Sequence, residues 1–209
     1  MDAATRLEAV RQEARGCRAC PLWEINTQTV FGEGPADAAV MFLGEAPGQQ
    51  EDRDGRPFVG AAGRMFDQAL EQAGVDRSLV YVTNVVKHRP WVQNGPRQKN
   101  RPPKTSEIKA CRPWLDQELT LLRPSVICCL GAVAARAVLG PDFKLMAQRG
   151  AWLSSPHAPH VLATVHPSFV IIQPADSLER WRETFYADVR LVAERLSELR
   201  RGGHLRAAS

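Results

Sequence analysis

A layered α/β architecture, with a mainly parallel sheet covered on both faces by helices, is what this sequence predicts. Two observations carry the prediction. Four short apolar runs rich in branched residues recur along the chain, each the length of a strand buried on both faces. Between them lie segments whose apolar residues repeat at helical spacing. Strand alternating with helix implies parallel pairing, because a parallel crossover needs room for a helix. At 209 residues and 44% apolar composition, the chain is long and greasy enough for one packed core. No internal repeat or linker divides it, so one domain over 1–209 is expected.

The elements follow in order. Thr5-x-x-Glu8 has the form of a capping box, and Leu7, Val10 and Ala14 then recur at helical spacing, predicting a helix up to Gly16. The strand runs are Ala39–Leu43, Leu79–Val82, Val126–Leu130 and Val161–Val165. Met65, Ala69 and Leu70 mark one helix, Ile108, Leu115, Leu119 and Leu122 a second, and Ala132–Leu139 a third. Asp176-x-x-Glu179 is placed to cap a long C-terminal helix with Leu178, Trp181, Phe185, Val189, Val192 and Leu196 on its buried face. Pro113 falls inside the second helical pattern, where it should remove a backbone bond and kink the helix. The Pro- and Arg-rich stretch Arg89–Pro103 reads as a long loop, and Arg201–Ser209 as a frayed tail.

The net charge is +4, only mildly basic, but its distribution is uneven. Lys87, Arg89, Arg97, Lys99, Arg101, Lys104, Lys109 and Arg112 crowd one segment against the single acid Glu107. Such a segment fits a polyanion contact, and equally a solvated basic loop. The first twenty residues alternate charges without an apolar stretch, which argues against a secretory signal. No later run approaches membrane-spanning length, so a soluble, intracellular protein is expected.

Five cysteines without an export signal argue against a disulfide framework. Cys128 and Cys129 sit in an apolar strand and read as buried thiols. Cys17-x-x-Cys20 fits a redox dithiol, half of a metal site, or chance. The pair follows a helix and precedes Pro21, unlike a thioredoxin-type motif, which follows a strand and opens a helix. A tetrahedral site needs two more ligands, for which Cys111 and His88 are the candidates.

Sites in parallel sheets collect at the carboxyl ends of the strands. Here those ends are Gly44-Glu45, Asn84, Gly131 and His166. The turn Gly44-Glu-Ala-Pro-Gly48 projects Glu45, and Asp52 follows; two carboxylates there can activate water, or simply cap a helix. Phe58, in a stiff Pro/Gly context, is either a base-stacking platform or a core residue. Asn84 offers a donor and an acceptor side by side, the pattern needed to read a carbonyl next to an N–H, and also common in turns. His166 heads a His-Pro-Ser168 turn where an imidazole donor can stabilise a departing anion. His157, His160 and His204 read as ordinary loop or tail histidines.

Together these segments resemble the iron–sulfur uracil-DNA glycosylases, the family 4 group and its DNA-cross-linking UdgX-type branch. The resemblance rests on the stretch from Gly44 to Gly63, GEAPGQQEDRDGRPFVGAAG, which is long and specific. Cys17-x-x-Cys20-Pro21, Tyr81-Val-Thr-Asn-Val-Val-Lys87, Cys111 and His166-Pro-Ser168 agree in order. Coverage runs from about Arg6 to Leu199. The resemblance implies the three-layer uracil-DNA glycosylase fold around a four-stranded sheet, in a bacterial, cytoplasmic, nucleoid-associated repair enzyme; a monomer is the default expectation. Its partner would be uracil-containing DNA, single- or double-stranded, with no membrane. It further implies a [4Fe-4S] cluster on Cys17, Cys20, Cys111 and His88, where family 4 members carry cysteine in place of the histidine.

Carried residue by residue, Gly44, Glu45 and Ala46 form the first catalytic motif, and Phe58 stacks on the flipped uracil. Asn84 reads its polar edge, His166 donates to its carbonyl oxygen, and Asp52 or Glu45 holds the attacking water. Lys87, Arg89, Arg97, Lys99, Asn100, Arg101 and Lys104 would contact DNA. In the UdgX-type branch a loop histidine becomes covalently linked to the abasic sugar; this chain has Asn100 at that place, and an amide is a poor nucleophile. Turnover is therefore expected rather than trapping. The alternatives are a cross-linker using another nucleophile and a non-catalytic iron–sulfur DNA-binding module.

Overall fold

Residues 1–202 are described by a computed structural model. The chain order begins with α1 (Ala3–Arg15), β1 (Val40–Gly44), α2 (Gln49–Asp54), α3 (Ala61–Gln72) and β2 (Tyr81–Asn84). A hairpin of β3 (Trp91–Asn94) and β4 (Arg97–Asn100) leads into α4 (Thr105–Leu122), β5 (Val126–Leu130), α5 (Ala132–Leu139) and α6 (Leu145–Gln148). β6 (Trp152–Ser155), β7 (Ala158–Thr164), α7 (Pro167–Ile171) and α8 (Ala175–Arg201) complete it.

The central sheet has the order β2-β1-β5-β7-β6. The four strands expected from the apolar runs pair in parallel, and β6 adds an antiparallel edge on β7. This fifth strand was not foreseen: its half-buried Trp152-Leu-Ser-Ser155 lacks the apolar run that marks a strand covered on both faces. Strand pleating divides the core in two. Met41 and Leu43 of β1, with Ile127 and Cys129 of β5, pack beneath α1, α4 and α5. Val40 and Phe42, with Cys128 and Leu130, pack beneath α3 and α8. Alternation with period two thus produces helix, sheet and helix layers from runs that look uniformly apolar in sequence.

Several local expectations are corrected. The N-cap of α1 is Asp2, whose Oδ1 accepts the Thr5 N–H at 2.7 Å, so Thr5 lies inside the helix. Asp176 likewise lies inside α8, which starts at Ala175 after Pro174. Pro113 lies inside α4, as its place in the helical pattern implied, and the helix runs unbroken through it for 18 residues. The segment Arg89–Pro103 is not all loop: β3 and β4 pair antiparallel from Trp91–Asn100 to Asn94–Arg97. α8 extends through Arg201 and Gly202 follows in a turn; residues 203–209 of the expected tail, with His204, lie outside the described residues.

Candidate active site

The carboxyl ends of β1, β2, β5 and β7 open into one cleft of about 890 Å³. Its walls include Glu45, Ala46, Phe58, Asn84, Gly131 and His166. The volume falls within the range for small-molecule sites. Seven of the sequence-derived candidates therefore converge: Glu45, Ala46, Phe58, Asn84, His166 and, on the rim, Asn100 and Arg101. Gly44 lies directly behind them. A Cβ on Gly44 would stand 2.4 Å from Asn84 Oδ1 and 2.5 Å from Phe58 Cζ, so only glycine lets these two side chains meet the end of β1.

Phe58 is held in a conformation an aromatic residue rarely adopts, with φ +55°. The restraint comes from Glu51. Its buried carboxylate accepts the N–H groups of Gly48 (3.0 Å), Val59 (3.0 Å) and Gly60 (2.8 Å), tying the start of α2 to the residues just past Phe58. Glu51 was missed in the sequence, although Gly48-x-x-Glu51 has capping-box spacing that would have found it. Gly63 supports the same turn, since a Cβ there would lie 1.9 Å from the Phe58 carbonyl oxygen. The Phe58 ring consequently faces the cleft, 5.8 Å from the His166 ring at an interplanar angle of 35°.

Asn84 ends β2 opposite Gly44. Its Oδ1 is buried and has no hydrogen-bond partner among the described residues. An unpartnered buried amide oxygen costs about 1–3 kcal/mol, which a ligand N–H would recover.

His166 is oriented just as specifically. The backbone N–H of Ser168 donates to Nδ1 at 3.1 Å, and Ser168 Oγ lies 2.7 Å from the same atom. A backbone amide can only donate, so Nδ1 is an acceptor and the ring proton of the neutral imidazole resides on Nε2. Burial pushes the His166 pKa down to about 4, which keeps the ring neutral at ordinary pH. Close packing against Gly131 fixes the ring further: a Cβ there would lie 3.2 Å from His166 Cβ.

A stability prediction follows. A histidine at about 4 in the folded state and 6.5 unfolded binds fewer protons when folded. Its contribution is therefore complete above pH 6.5 and is lost as pH falls toward 4. The full contribution is at most about 3 kcal/mol. His166→Gln should accordingly lose less stability than the unmodified protein between these pH values in parallel urea titrations; equal losses would refute it.

The two carboxylates separate. Glu45 lines the cleft, and burial raises its pKa above the ordinary 4.5. Asp52 instead faces Thr27, accepting its N–H at 3.0 Å and lying 3.2 Å from its hydroxyl, and it does not line the cleft.

The basic segment also divides. Lys87 is fully buried, with Nζ 2.5 Å from Glu118 Oε2, so it is corrected from a surface DNA contact to an internal ion pair. Arg89 is buried too; it donates from Nε to Asn100 Oδ1 at 2.6 Å and to Gln98 at 2.7 Å, and so holds the cleft-rim amide from behind. Arg101 pairs with Glu107 at 2.6 Å. Arg97, Lys99 and Lys104 are exposed and make no ion pair among the described residues.

Three of the four candidate metal ligands, Cys17, Cys20 and Cys111, influence one another electrostatically. Burial raises the Cys111 thiol to about 11, and Cys17 and Cys20 oppose its ionisation further. The Cys111 sulfur accepts the Lys87 N–H at 3.1 Å, and the Cys17 sulfur accepts the Trp114 indole N–H at 3.2 Å. Bonds of this kind suit thiolates. His88 engages the Thr29 hydroxyl through Nε2 at 3.1 Å, which leaves Nδ1 as the nitrogen a metal would take. Among the described residues no three His, Cys, Asp or Glu side chains stand in metal-holding geometry.

Residues 31–190 match the family description "Uracil DNA glycosylase superfamily". The chain is 35% identical over 195 residues to the type-4 uracil-DNA glycosylase of Sulfurisphaera tokodaii, covering 90% of this chain and 84% of that protein. It is 36% identical to the type-4 enzyme of Thermotoga maritima, over 83% of this chain and 88% of that one. Against the type-4 enzyme of Archaeoglobus fulgidus it is 34% identical, over 90% and 92% respectively.

Proposed function

This chain belongs to the uracil DNA glycosylase superfamily, and from that premise we propose that its cleft takes uracil flipped from DNA and hydrolyses the N-glycosidic bond. The product is an abasic site, the first intermediate of base excision repair. The observation that carries the reading is the unpartnered Asn84 Oδ1 sharing one cleft with the Nε2–H of His166 and the Phe58 ring. Uracil presents an N–H between two carbonyls, so Asn84 accepts from the N–H and donates its amide to one neighbouring carbonyl. Phe58 stacks on the ring face. His166 donates from Nε2 to the other carbonyl.

In the reaction the C1′–N1 bond breaks and its electron pair passes to uracil N1, spreading onto the carbonyl oxygen that His166 contacts. The sugar is left with a cationic C1′. A water held by Glu45 attacks that carbon and gives up its proton to the carboxylate. Glu45 rather than Asp52 takes this role, because the Asp52 carboxylate is committed to Thr27 outside the cleft. Arg97, Lys99 and Lys104 meet the phosphates, and their counterion release makes binding salt-dependent. Exposed apolar side chains on the rim, Met146, Phe169, Ile171 and Ile172, fit the gap a flipped base leaves in the stack.

A [4Fe-4S] cluster fits the three thiols in chemistry, and Cys17, Cys20 and Cys111 would be its thiolate ligands. His88, with Nε2 engaged by the Thr29 hydroxyl, would complete the set through Nδ1, and no step of the reaction runs through the cluster. Bound there, it would tie α1 and the following turn to α4, a structural role. No helix of the described residues is long and apolar enough to cross a membrane, and cytoplasmic action on DNA is consistent with that.

The testing experiment uses the purified protein and a labelled uracil-containing oligonucleotide. Half of each sample is treated with hot alkali and half is run on a denaturing protein gel. Alkali-dependent strand cleavage without a shifted protein band is expected. A band that survives denaturation would overturn turnover in favour of covalent trapping, and intact DNA would overturn the glycosylase reading.

A further inference from the structure

We infer that the buried Lys87–Glu118 ion pair is a positioning element for Asn84, through which α4 sets how well the cleft reads uracil; the inference rests on Asn84 being the base-reading residue.

β2 is an edge strand of the sheet, and Asn84 is its last residue. An edge strand leaves main-chain groups without a ladder partner. Here Lys87 supplies one from within the chain. Its Nζ donates to the Asn84 carbonyl oxygen at 2.7 Å and to Thr83 Oγ1 at 2.7 Å, gripping the last two residues of the strand. Thr83 and Asn84 point to opposite faces of the sheet. The ammonium thus holds the root of the Asn84 side chain from the face away from the cleft.

Lys87 is fixed in turn by two residues of α4, Cys111 and Glu118, seven positions apart and therefore on one helix face. Cys111 Sγ accepts its backbone N–H, and Glu118 Oε2 accepts its ammonium at 2.5 Å. Glu118 is saturated. Its Oε1 accepts the Tyr81 hydroxyl at 2.9 Å, the Thr83 hydroxyl at 2.9 Å and the Gly32 N–H at 3.1 Å. A Cβ on Gly32 would lie 2.4 Å from Glu118 Oε1, so glycine is what admits that contact. Lys87, Tyr81, Thr83 and Glu118 are all fully buried.

A buried ion pair is weak support for stability by itself, since an apolar pair of similar size often serves as well. What an apolar pair cannot supply is a donor at the Asn84 carbonyl. Positioning is the property that distinguishes the two, and displacements near 1 Å at a reacting group cost about 10²-fold in rate.

The test compares Lys87→Met/Glu118→Leu, which leaves no unpaired buried charge, in two backgrounds: otherwise unmodified protein and Asn84→Ala. Single-turnover excision and oligonucleotide affinity are both measured. In the unmodified background excision should slow about tenfold or more with affinity within about twofold. In the Asn84→Ala background the further loss should shrink below about twofold, because the residue being positioned is gone. A loss of equal size in both backgrounds, or no loss in the first, would overturn the inference while leaving the reading of Asn84 intact. Full activity of Asn84→Ala alone would overturn that reading and the inference with it. Glu118→Gln, which keeps the shape but replaces one of the two acceptor oxygens by a donor and so loosens the grip on Lys87, is read in the same two backgrounds should the double variant fail to fold.

Discussion

His166→Ala is expected to excise uracil about 10²–10³ times more slowly while binding DNA nearly as before. The size follows from removing one preorganised donor aimed at developing negative charge. The structure gives three reasons to place His166 in that role. Its Nδ1 accepts the Ser168 N–H, which puts the proton on the atom left to face the cleft. Burial holds the pKa at about 4, so at neutral pH the ring is a fixed neutral donor that needs no prior protonation. Gly131, at φ +96°, lets the turn before α5 close against the ring and immobilise it. A donor already in place when the glycosidic bond stretches requires no reorganisation, which is why its loss should appear in the chemical step. Single-turnover excision and fluorescence-anisotropy binding on the same variant measure both quantities. Near-normal excision by His166→Ala, or a parallel collapse of binding, would remove His166 from this role.

The parts of the molecule visible in the sequence were those whose signal is local. Val126–Leu130 and Ala132–Leu139 coincide with β5 and α5, because a run buried on both faces and a compact apolar helix need no partner to be recognised. Glu45, Asn84 and His166 were legible for a related reason: each stands at the carboxyl end of a strand of the parallel sheet, where topology gathers functional groups. Elements that bury little were not legible. β4 reads Arg97-Gln-Lys-Asn100, wholly exposed, and its pairing with β3 is signalled only by Asn94-Gly95 at the turn. Charged residues with internal partners were misplaced for the opposite reason. Lys87 and Arg89 look like neighbours of Arg97 and Lys99 in composition. Their burial depends on Glu118 and Asn100, and the first of these lies 31 residues away. Asp52 and Glu51 illustrate the same limit at one-residue range. Adjacent on α2, they serve Thr27 and the Phe58 turn respectively, and only the direction of each side chain tells them apart.

That direction is also the basis for expecting Glu45→Ala to lose about 10²–10⁴ in excision rate, the range for a positioned general base. Glu45 lines the cleft beside Asn84 and His166, whereas the Asp52 carboxylate is turned to Thr27. The pH dependence supplies an independent check. Water activation needs the ionised carboxylate, and burial raises the Glu45 pKa above 4.5. Activity should therefore fall on acidification before an ordinary glutamate would protonate, and before His166 does at about 4. In Glu45→Ala the residual activity should lose this upper acid step while keeping the lower one. Asp52→Asn, by contrast, should retain both steps and stay within about threefold of the unmodified rate, since an amide still accepts from the Thr27 N–H. The comparison is decisive in either direction. If Asp52→Asn abolishes excision and the acid step while Glu45→Ala keeps them, the water is held from the Thr27 side and the cleft carboxylate is only part of the wall.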